Sequence, residues 1–147
     1  MKFETFKKSV QLSKEDICRD ILAQNRDRIK IKKEKVAVRN LVKILDAALC
    51  ISNQKGFASM SLRDLSSEAG LSMGALYSYI SSKEELLDMM QQQGRSLIFK
   101  ILGDHLKDIS DPLEKLRRGI QVHLYLSEVM QPWFYFSYME TKNLPKE

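Results

Sequence analysis

Cysteine and histidine are scarce in this sequence. Cys18 and Cys50 are its only thiols, and His105 and His123 its only imidazoles, in 147 residues. Two cysteines are too few for a disulfide framework, and these four residues lie too far apart along the chain to suggest a metal centre. No apolar run approaches the ~20 residues that span a bilayer. The N-terminus mixes both charges and lacks the continuous apolar stretch of a secretory signal. The expected setting is therefore a reducing cytoplasm, with no membrane partner. Catalytic arrangements are missing too: there is no nucleophile–base pairing and no glycine-rich phosphate loop, and Glu84-Glu85 reads as a helix start. Neither an enzyme nor a cofactor is expected.

The composition that remains, 44% hydrophobic and 29% charged residues, is that of an ordinary soluble protein. Its formal charge of +5 is unevenly placed. Residues 1–40 hold 12 Lys/Arg against 6 Asp/Glu, whereas residues 41–147 hold 12 against 13. The positive charge is densest in RDRIKIKKEK, which contains Arg26, Arg28, Lys30, Lys32 and Lys33. Such a run is either a solvated face, in a short extra helix packed on the domain, or an arm whose cations neutralise DNA phosphates. The second reading is favoured here because of the motif that follows it.

The chain reads as all-α. Ser13 with Asp16 marks a helix start, followed by Ile17, Ile21 and Leu22. From about Val36, the spacing of Leu41, Ile44, Leu45, Ala48 and Leu49 predicts a helix that stops near Gly56, with Phe57 as a core anchor. Ser61 and Asp64 form a capping box for a helix ending at Gly70, and Ser72 caps a second, SMGALYSY. Ser82 with Glu85 opens a long helix, with Leu86, Met90, Leu97, Ile101 and His105 or Leu106 on its buried side, and Gly94 in its interior leaves room for a local bend. Asp111-Pro112 opens another, whose buried stripe is expected to be Leu113, Leu116, Ile120 and His123 or Leu124. Pro132 then precedes a helix containing WFYF.

Two short helices joined by a glycine turn between Ser61 and Tyr79 are the parts of a helix-turn-helix. Gly70 permits the turn, Ser66 and Ala69 permit close approach, and Leu76 faces inward. Met73, Gly74, Tyr77 and Ser78 are left for the groove-facing side of the second helix. That helix carries no Lys or Arg, so bidentate guanine contacts are not expected from it unless Arg63 or the basic arm supplies them. A helical adaptor using the same hairpin to bind protein is the alternative reading.

From the helix near Val36 through GFASMSLRDLSSEAGLSMGALYSYISSKEELL, the chain resembles the TetR family of bacterial transcriptional regulators. The matching marks are Gly56-Phe57, Ser61-Leu62, Leu65, Ala69 to Ser72, Gly74, Leu76-Tyr77, Tyr79 and Ser82 to Leu86. METKNLP is more weakly similar to a segment of some members' ligand domains. The resemblance implies a three-helix DNA-binding domain at 36–81, preceded by a basic extension at 1–35. The start of a helical effector-binding domain is implied at 82–147. It also implies phosphate contacts from Ser61, Ser72 and Lys83, with Tyr77 packing inward and Tyr79 touching the DNA backbone. Ala75 departs from the usual Ser or Thr, Ile80 from phenylalanine and Ser66 from alanine. Phe99, His123, Trp133 and Tyr138 are expected to line an effector pocket. Family members continue for several more helices, the last two of which generally form the dimer. Only the first part of the second domain is therefore expected here, with a homodimer where the full domain is present. The implied function is a repressor that leaves a palindromic operator when a small-molecule effector binds.

Overall fold

Side-chain caps set where most of the helices begin. In the computed structural model, which describes residues 1–140, the hydroxyl of Ser13 accepts the Asp16 N–H at 3.0 Å and that of Ser82 accepts the Glu85 N–H at 3.1 Å. The Asp111 carboxylate accepts the Glu114 N–H at 2.8 Å, with Pro112 in the first turn. Each cap satisfies a backbone donor that has no partner within its helix. The helices are α1 (Phe3–Val10), α2 (Lys14–Gln24), α3 (Glu34–Lys55), α4 (Leu62–Ala69), α5 (Met73–Tyr77), α6 (Lys83–Leu106), α7 (Pro112–Val129) and α8 (Gln131–Glu140). A 3-10 turn, Phe57–Ser59, links α3 to α4, and there is no strand among the described residues.

Helix α3 is central, with Leu41, Ile44, Leu45 and Ala48 buried against α2, α4 and α8. Helix α6 continues without a break in its helical turns through Gly94. Gly94 is buried where α8 comes close: a Cβ there would stand 3.9 Å from the Ser137 hydroxyl. Leu86, Met90, Leu97 and Ile101 are buried as the spacing requires.

The N-terminal extension holds a helix that sequence periodicity missed, since one aromatic anchors it. Phe6 is fully buried, its ring 5.2 Å from His105 on α6 and 5.4 Å from Tyr125 on α7. The Met1 carbonyl accepts bonds from Gln121 Nε2 and the Tyr125 hydroxyl, both at 3.0 Å. Helix α1 is thus pinned to α6 and α7, and α2 lies along α3 and α6.

The expected stripe on α7 is corrected. Leu113, Leu116, Ile120 and Leu124 are all more than half exposed, and the buried residues are Val122 and Leu126. Helix α7 carries apolar residues on two nearly opposite faces, and its contacts with α1, α6 and α8 cover the second.

The 3-10 turn after α3 is tied to α8. The Phe57 N–H donates to the buried Glu140 carboxylate at 3.0 Å, and the Phe57 ring meets Phe136 edge-on at 6.2 Å. Glu140 belongs to the METKNLP segment; the rest of that match, from residue 141, lies outside the described residues.

Candidate nucleic-acid interface

The hairpin from Ser61 to Tyr79 is held by interlocking local bonds. Ser61 Oγ accepts from the Asp64 N–H, and Asp64 returns the bond to the Ser61 N–H, both at 3.0 Å. Lys55 reaches the same carboxylate at 3.0 Å. The Ser61 N–H and then Lys55 favour the charged form, so the Asp64 carboxyl falls from its ordinary 3.8 to about 2. Because the folded value is the lower one, Asp64 contributes stability above pH 3.8 that is lost as pH falls towards 2. Asp64→Asn is accordingly expected to melt below the parent at neutral pH, with the gap closing in acid; circular dichroism melts across pH check this.

Helix α4 ends at Gly70, whose φ of 66° and ψ of 33° lie in the left-handed region that a Cβ disfavours. The Leu71 N–H donates to the Ser66 carbonyl at 3.0 Å, while the Ser66 hydroxyl donates to the Leu71 carbonyl. Ser66, a departure from the family's alanine, therefore clasps the turn as well as being small. Ser72 Oγ caps α5 by accepting the Ala75 N–H at 3.1 Å. Helix α5 is only five residues long, with Leu76 fully buried.

That burial decides the outer face. Ser72, Gly74 and Tyr77 are exposed, Met73 and Ser78 half-buried, and Arg63 stands exposed on α4. A Cβ at Gly74 would meet nothing within 4 Å, which leaves the backbone open to close approach. The Ser78 hydroxyl is turned back to the Gly74 carbonyl at 3.3 Å. The expectation for the two tyrosines is reversed. Tyr77 is 49% exposed, whereas Tyr79 is 1% exposed and accepts a bond from Asn40 Nδ2 on α3 at 3.0 Å. Tyr79 lies beyond the last turn of α5, where the chain has bent back towards the core, and burial raises its phenol above the ordinary value.

The basic arm is folded against this unit. The Lys30 N–H donates to the Ser78 carbonyl at 3.0 Å, joining the arm to the end of α5, and Ile29 beside it is buried. Arg26 donates to the Ile31 and Lys32 carbonyls at 2.9 and 2.8 Å, so its guanidinium shapes the arm. Arg28 stands 3.9 Å from Asp88 and borders the same hollow as Lys30 and Tyr77. Lys30, Lys32 and Lys33 are exposed and have no ion-pair partner among the described residues.

Lys83 is placed differently from a phosphate-binding lysine. Its ammonium donates to the carbonyls of Ala58 and Met60 at 3.0 and 3.1 Å and reaches that of Phe57 at 3.5 Å. It also lies 5.5 Å from the centre of the Phe57 ring. All three donors are committed to the turn before α4. Lys83→Ala is expected to lower stability by about 1.5–3 kcal/mol through these charge-assisted bonds. The salt slope of DNA binding should stay unchanged; a slope reduced by about 0.9 at unchanged stability would mark a phosphate contact instead.

Of the expected effector-site residues, His123, Trp133 and Tyr138 line one hollow of 260 Å³, together with Ile98, Met130 and Phe134. Phe99 does not join them; it is 72% exposed on another face of α6. Its neighbour Ile98 takes the lining position, a one-residue rotation that the weak periodicity of α6 does not resolve. Among the described residues no group of three or more His, Cys, Asp or Glu side chains is arranged to hold a metal ion. No helix among them is long and apolar enough to cross a membrane.

A capped helix, a left-handed glycine turn and a short second helix with an open outer face define a helix-turn-helix protein. Residues 44–90 match the family described as bacterial regulatory proteins, tetR family. The chain is 28% identical over 116 residues to the HTH-type transcriptional repressor KstR2 of Mycobacterium tuberculosis (strain ATCC 25618 / H37Rv), covering 68% of this chain and 57% of that protein. It is 34% identical over 89 residues to the HTH-type transcriptional regulator AcrR of Shigella flexneri, covering 60% and 41%. Residues 44–90 therefore carry the helix-turn-helix pattern of the tetR family, and the chain is similar to these regulators. The chain spans about half the length of the curated relatives it matches. No solved structure gives a significant match.

Proposed function

We propose that this protein is a sequence-specific DNA-binding transcriptional regulator, a repressor released from a palindromic operator by a small-molecule effector. The bond between the Lys30 N–H and the Ser78 carbonyl carries this reading. A recognition helix without Lys or Arg has a lysine-rich arm joined to its end, so cations for the phosphates stand beside side chains that face the groove. Met73, Gly74, Tyr77 and Ser78 then read bases by apolar and hydroxyl contacts, with Arg63 available from α4. Ser61 and Ser72 present exposed cap hydroxyls at helix N-termini, where the backbone dipoles favour phosphate. The printed names of the relatives, one a repressor and one a regulator, support the same class. The protein acts by binding rather than by catalysis, in the cytoplasm where its operator lies.

The hollow at His123, Trp133 and Tyr138 receives the effector, and the Phe57 turn, held by Glu140 on one side and Lys83 on the other, carries its effect to the hairpin. An effector acts only through unequal affinity for the two arrangements. Homodimerisation supplies the symmetry of the operator, and the exposed Leu113, Leu116, Ile120 and Leu124 of α7 are the apolar face available for association. Selection of bound duplexes from a random pool tests the reading. Two inverted half-sites about one helical turn or more apart are expected. Absence of any salt-sensitive DNA binding would remove it.

A further inference from the structure

We propose that the groove between α2, α3 and the α7–α8 turn is a second small-molecule site, built for a neutral aromatic compound. Its cavity of 440 Å³ falls within the range of drug-sized pockets and is separate from the main part of the His123 hollow, although Met130 and Trp133 border both. Ile17, Cys18, Leu45, Leu49 and Met130 form the floor, each no more than 8% exposed. Such a floor offers no strong hydrogen-bonding group, so the part of a ligand that reaches it must be apolar. The sulfurs of Cys18, Cys50 and Met130 and the indole of Trp133 are polarisable surfaces that suit an aromatic ring.

The rim determines the charge. Lys14 and Asp46 are exposed and paired across α2 and α3 at 3.1 Å, so this part of the rim carries no net charge to select an ionic ligand. Asn53 adds an exposed amide that can hydrogen-bond a hydroxyl or carbonyl. Burial, with Asp46 and then Glu15 nearby, pushes the Cys18 thiol up to about 12, which keeps the floor uncharged. One wall of the groove belongs to the N-terminal extension and the opposite wall to the helix that supports the hairpin.

N-phenyl-1-naphthylamine, a neutral fluorophore, is the probe, and 1-anilinonaphthalene-8-sulfonate its charged counterpart. The neutral probe is expected to bind saturably at one site, at least tenfold more tightly than the sulfonate. Asn53→Trp and Cys50→Phe should each weaken it at least tenfold, whereas Ile98→Trp, which fills the other hollow, should change it less than twofold. In the unmutated protein, saturating probe should slow alkylation of Cys50 by iodoacetamide at least fivefold, read by mass spectrometry. This protection does not depend on any variant folding. An unprotected Cys50, or binding lost only in Ile98→Trp, overturns the assignment. Equal affinity for the sulfonate overturns the preference for a neutral ligand.

Discussion

Replacing Tyr79 with alanine is expected to destabilise the protein by about 3–5 kcal/mol, a large share of the roughly 5–15 kcal/mol that hold a domain together. The ring is among the largest fully buried side chains, and its removal opens a cavity where the hairpin meets α3. Tyr79→Phe keeps that volume and removes only the bond from Asn40, so a loss of about 1 kcal/mol is expected. Tyr77→Ala should do the reverse. With half its surface in water it should change stability by less than about 0.5 kcal/mol while weakening operator binding. Denaturant titration of the three variants beside DNA titration separates the roles. A stable Tyr79→Ala with impaired DNA binding would restore the arrangement that the family resemblance implied.

Removing the charges of the arm has the largest expected effect on DNA binding. Lys30→Ala, Lys32→Ala and Lys33→Ala combined should lower the salt slope by about 2 to 3, since each phosphate contact contributes about 0.9. The loss should be nearly equal for operator and unrelated duplex, because phosphates carry no sequence. The Lys30 bond to Ser78 uses the main chain, so the arm should keep its place in this variant. Arg26→Ala should behave differently: it removes two bonds to the arm's own carbonyls and so loosens the arm. An unchanged salt slope in the triple variant would assign these lysines to a solvated face.

Much of the fold was legible because its signals are local. The caps at Ser13, Ser61, Ser72, Ser82 and Asp111 each involve residues three apart, and Gly70 meets a backbone requirement within its own turn. Helix α1 was not legible, because eight residues around Phe6 acquire an apolar face only when His105 and Tyr125 are brought to them. In the sequence, the departure at Ser66 shows only as a matter of size. Its bond to Leu71 needed the turn to be formed first.

The sequence by itself determined an all-helical fold for the described residues, a helix-turn-helix at Ser61 to Tyr79 and the family that this hairpin resembles, since each rests on spacing within a few residues. Tertiary structure alone decided which of two apolar faces α7 buries, which of two tyrosines enters the core and where Lys83 spends its charge. It also decided that the basic arm lies against the end of α5. These outcomes depend on partners 20 to more than 100 residues away along the chain, as with Lys83 and Met60 or Met1 and Tyr125. A side chain's own periodicity shows that it has a face, but only the element packed on that face settles whether it is buried, bonded or left exposed.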